Sequence, residues 1–65
     1  MDAATLYPTL TISIEIEVVR KGHYIVHEIQ EGRGAFLTEW SSQEDADARA
    51  EFLRALWIGR GATVH

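Results

Sequence analysis

From Leu10 the chain alternates strictly. Leu10, Ile12, Ile14, Ile16 and Val18 are apolar, and Thr11, Ser13, Glu15 and Glu17 between them are polar. A period of two, rich in β-branched residues, predicts a half-buried strand over 10–20. Arg20-Lys21-Gly22-His23 interrupts the pattern, and Gly22 supplies the positive φ that a tight hairpin needs. A second strand is expected over 23–30. Glu31-Gly32-Arg33-Gly34 reads as another turn, and a third strand is expected over 35–40. Ser41 and Ser42 then offer two capping frames, Ser41 with Glu44 and Ser42 with Asp45. Ala46, Ala50, Leu53 and Trp57 recur at helical spacing, widened by Phe52 and Leu56, which predicts a helix over 43–58. Gly59 and Gly61 are candidate C-terminal caps. Residues 59–65 form a tail able to fray or to add an edge strand, and 1–9, with Leu6, Tyr7 and Pro8, form an N-terminal arm.

These elements predict one α+β domain over 1–65: a three-stranded antiparallel meander with one C-terminal helix packed on one face, in the order βββα. If Lys21-Gly22 and Gly32-Arg33 are both two-residue loops, Val18 faces Ile25, Ile14 faces Ile29, and Ile29 faces Phe36. That register sends Ile12, Ile14, Ile16, Val18, Ile25, Ile29, Phe36 and Trp40 to the helix. The expected core adds Ala46, Ala50, Leu53, Leu56 and Trp57. A slip of one residue would invert the pattern. The opposite face then carries Glu15, Glu17, Glu28 and Glu39 around Val19, Tyr24, Val26 and Leu37, with Glu15 directly across from Glu28. Glu15, Glu17, Glu28, Glu39, Tyr24, Val26 and Leu37 are the expected partner-binding residues.

Composition narrows the chemistry. With 65 residues, ten acids, six lysines and arginines and a net charge of −4, the chain lacks the basic surface that neutralises a nucleic-acid backbone. A direct nucleic-acid partner is therefore not expected, and neither is a polybasic membrane contact. No apolar run approaches the roughly 20 residues that cross a bilayer. The absence of cysteine fits a cytoplasmic protein better than a disulfide-stapled secreted one. A chain of this length hides only about 60% of its unfolded surface, so a second copy of itself, at an unprotected edge of strand 1 or strand 3 or packed through Leu6, Tyr7 and the C-terminal tail, is a further expected partner.

Catalytic readings find little. His23 and His27, four residues apart on one strand, stand roughly 13 Å from each other. They cannot share an ion, so no metal and no cofactor is expected. His27 is expected at the core edge, bonded to Thr38 or to backbone. Glu15 and Glu28 would be paired carboxylates, but on a flat open face without the desolvation that separates two pKa values. Ser41 and Ser42 are explained by capping. Gly32-Arg33-Gly34 is a turn rather than a phosphate loop. The expectation is a protein that is not an enzyme.

Two resemblances add to this. The order of elements, with Tyr24-Ile25-Val26, a strand-ending Trp40 and then Ser42, Ala46 and Phe52-Leu53, is similar to the DNA-binding arm domains of phage integrases and AP2-type factors. It implies that the exposed sheet face would enter a major groove, where that family carries Arg and Lys and this chain carries glutamates. A small, acidic, cysteine-free chain with one sheet and one helix also resembles the phage-encoded anti-CRISPR proteins. That likeness implies a cytoplasmic, non-enzymatic inhibitor that binds a bacterial protein with a basic surface, such as a Cas subunit, as a nucleic-acid mimic. The third function left open is a small homo-oligomeric structural or regulatory subunit.

Overall fold

The computed structural model describes residues 10–65. The expected arm over 1–9 lies outside the described residues. Strand β1 runs Thr11–Arg20, β2 His23–Gln30 and β3 Gly34–Trp40. Helix α1 follows over Gln43–Gly59, and a short β4 over Thr63–Val64. The sheet order is β3-β2-β1-β4. The meander of three antiparallel strands is present, but the sheet is mixed and has four strands, because β4 lies parallel to β1. Its bonds are regular: Thr63 N–H donates to Leu10 O at 2.8 Å, His65 N–H to Ile12 O at 2.8 Å, and Ile14 N–H to His65 O at 3.3 Å.

The helix ends explain why the tail returns to the sheet. Ser42 caps the N-terminus, its Oγ accepting from Asp45 N–H at 3.1 Å, so the second capping frame is the one used. Glu44 and Asp45 add negative charge to the first turn, where the helix dipole favours it. At the other end Gly61, at φ +85°, takes the left-handed conformation that side chains avoid. Gly61 N–H then donates to Ile58 O and Ala62 N–H to Trp57 O, both at 3.0 Å. This paired closure is the Schellman motif, and it turns the chain back along β1.

Strand β2 is inverted relative to the expected register. The first loop is the two-residue Lys21-Gly22 turn, with Arg20 opposite His23, but the register shifts between Val18 and Arg20 and leaves Val19 as a bulge. Val18 therefore pairs with Tyr24, Ile16 with Val26 and Ile14 with Glu28. The second loop has three residues, not two: Gln30 pairs with Gly34, and Arg33 N–H closes the turn onto Gln30 O at 2.9 Å. Each loop displaces the pairing by one residue. The two displacements flip β2 and cancel at β3, so β1 and β3 keep the faces that the sequence predicts.

As a result Val26, only 1% exposed, lies in the core with Ile12, Ile14, Ala46, Ala50 and Leu53. Tyr24, Ile16, Trp40, Trp57 and Val64 pack around that cluster. Ile25 and Ile29 do not belong to it, being on the face away from the helix. Val18 and Phe36 occupy the helix face as expected, yet remain 60% and 62% exposed. Burial along each strand shows the cause. On β1 the buried residues sit near Thr11, whereas on β3 the covered end is the one with Thr38 and Trp40. The helix thus crosses the sheet diagonally and leaves two opposite corners uncovered.

Candidate protein-binding face

With β2 inverted, the face away from the helix is a grid of three rows. Ser13 lies across from Ile29, and Ile29 from Ala35. Glu15 lies across from His27, and His27 from Leu37. Glu17 lies across from Ile25, and Ile25 from Glu39. Three exposed carboxylates and the exposed Leu37 therefore surround half-buried Ile25, His27 and Ile29. Of the expected contact residues, the fold brings Glu15, Glu17, Leu37 and Glu39 together on this face. It removes the other three: Tyr24 and Val26 pack toward the helix, and Glu28 turns the same way and accepts from Gln30 Nε2 at 3.0 Å. Val19, also expected there, is the bulge residue.

Two cross-strand hydrogen bonds engage two of the three carboxylates. His27 Nε2 meets Glu17 Oε1 at 2.8 Å, and His23 Nε2 meets Glu39 Oε1 at 2.9 Å. His27 is thus an outward-facing partner of a glutamate and not a core-edge residue bonded to Thr38, whose hydroxyl instead accepts from Trp40 Nε1 at 2.8 Å. Both histidine contacts follow from the inversion, since an even-loop register sends His27 to the helix side. The signal for them in the sequence is the like-charge opposition of Glu15 and Glu28, which destabilises an antiparallel pair. The observed register replaces it with Glu15 opposite His27.

Glu15, Glu17 and His27 border a shallow depression with Ile16. Among the described residues, no three His, Asp or Glu side chains converge as a metal-holding group. Arg20, at the hairpin tip, is the only Lys or Arg in the strands of the described residues. No described helix is long and apolar enough to cross a membrane. No family model matches the chain, and no curated protein or solved structure matches it significantly.

Proposed function

We propose that this chain is a small, non-enzymatic protein-binding inhibitor whose uncovered sheet face docks on a basic, nucleic-acid-handling surface of another protein. The most concrete form is an anti-CRISPR protein acting in the bacterial cytoplasm on a Cas subunit. The observation that carries the reading is the grid of Glu15, Glu17 and Glu39 around Ile25, Ile29 and Leu37. Apolar centres with a charged rim are how protein interfaces divide labour: anchors hold the complex, and rim charges set encounter rate and salt sensitivity. Glu15 and Glu17 repeat about 6.6 Å apart along β1, on the scale of successive charges along a nucleic-acid backbone. Ile25 and Ile29 take the anchor role that the sequence alone gives to Tyr24 and Val26. The same carboxylates disfavour docking into a DNA groove, where they would face phosphates.

The test is capture from bacterial lysate by wild-type chain and by the Glu15→Lys/Glu17→Lys variant, washed at low and high salt. Wild type should retain a basic nucleic-acid-binding protein at low salt and lose most of it at high salt. The variant should associate at least about tenfold more slowly at low salt, with a melting temperature lowered by a few degrees at most, because both side chains are exposed and the lost Glu17–His27 contact is a surface one. Equal capture by both proteins, or capture of DNA or RNA alone, would contradict the reading.

A further inference from the structure

We propose that the chain pairs with a second copy of itself through β3, edge to edge and antiparallel, making one continuous eight-stranded sheet. The backbone geometry points this way. Leu10 O and Ile12 O accept from Thr63 and His65, so the even residues of β1 direct their backbone groups toward β4 and the odd residues toward β2. Pairing Glu15 with His27 and Val26 with Thr38 carries this alternation across the sheet. It leaves the N–H and C=O groups of Ala35, Leu37 and Glu39 aimed outward, at an edge that no strand among the described residues covers.

Edge strands are normally protected by Lys, Pro, bulges or brevity. From Gly34 to Trp40 the chain has no Lys, Arg or Pro, and β3 pairs with β2 without a bulge. The opposite edge is guarded: β4 has two residues, and beyond it Arg54 Nη2 donates to Ile14 O at 3.3 Å. Large exposed apolar side chains gather at β3. Phe36 lies on the helix side at 62% exposure and Leu37 on the other side at 57%. Arg54 marks the β1 flank of α1, so the flank bearing Arg49, Phe52 and Leu56 lies toward β3. Phe52 is 56% exposed.

A second copy satisfies all of these features at once. A two-fold axis normal to the sheet keeps both helices on one side, above a furrow floored by Phe36 from each copy. With Phe36 opposite Phe36 of the second copy, Leu37 meets Ala35 of the second copy, and Glu39 meets Arg33 of the second copy. The acidic end of β3 thereby meets Arg33, in the turn that precedes β3, twice, a complementarity specific to a copy of the same segment. The contact is isologous and closes at two chains.

Sedimentation velocity on the full chain, over a concentration series, tests this directly. The expected species has twice the chain's 7.3 kDa. Phe36→Lys should raise the dissociation constant more than about tenfold while its far-UV circular dichroism stays that of the folded chain, and its melting temperature should lose the dependence on protein concentration that the dimer confers. Ile58→Lys, equally exposed but on the β1 flank of α1, should leave the dimer intact. Arg33→Glu and Glu39→Arg should each weaken it, and together restore it. Amide exchange at Leu37 and Glu39 should be slow in the dimer and fast in Phe36→Lys. A chain that stays at 7.3 kDa throughout overturns the proposal, including one that binds an added strand peptide at β3. So does a dimer indifferent to Phe36→Lys and to the charge exchange.

Discussion

Val26→Lys is expected to unfold the chain, and Ile25→Lys, one residue away, to leave it folded. Val26 is buried between Ile12, Ile14 and the helix residues Ala46, Ala50 and Leu53, with no acidic side chain among them. An unpaired ammonium there costs several kcal/mol after any relaxation. A domain of 65 residues has only about 3–10 kcal/mol of total stability, so one such insertion consumes most of it. Ile25 instead lies between Glu17 and Glu39 on the uncovered face, where a lysine gains two carboxylate neighbours. Far-UV circular dichroism and a thermal melt on both variants decide the matter. The reverse pattern, with Ile25→Lys unfolded and Val26→Lys intact, would restore the register expected from two-residue loops and dismantle the proposed binding face.

Leu53→Ala should be the most damaging simple truncation in the helix. Ala46 and Ala50, both wholly buried, bring α1 close to the sheet, and Leu53 is the one large side chain of the helix in the buried core. Its removal deletes apolar contact and leaves a cavity beneath the helix, costing about 2–5 kcal/mol, a large share of the stability expected at this size. Leu56→Ala, at a half-buried position on the flank, should cost clearly less. Urea midpoints for the two variants, compared at equal slope, give the difference. Equal losses would mean that the helix docks through its flank and not through the Ala46, Ala50 and Leu53 stripe.

What the sequence made legible follows from where its patterns are unambiguous. In β1 Ile12, Ile14, Ile16 and Val18 alternate with polar residues without a break, so its faces are specified. The helix stripe and the Ser42 cap are equally plain. Strand β2, His-Tyr-Ile-Val-His-Glu-Ile-Gln, has apolar residues at three consecutive positions and suits either orientation. Its faces are therefore set by its two loops. A bulge at Val19 and a closure at Arg33 cannot be distinguished from two-residue turns by glycine placement alone. That one strand accounts for the errors at the candidate site: Tyr24, Val26 and Glu28 exchanged for Ile25, His27 and Ile29. The uncovered corners at Val18 and Phe36 depend on the diagonal of the helix, which no local pattern encodes. Strand β4, only Thr63 and Val64, is too short to show a period and forms because the Gly61 turn delivers it alongside β1.

The most direct test of the binding account is cross-saturation transfer from the captured basic protein to the methyl groups of the labelled chain. Ile25, Ile29 and Leu37 should lose intensity, while Ile12, Ile14, Val26 and Leu53 keep theirs. Loss at Leu56 and Ile58 on the helix, with the sheet face untouched, would contradict it.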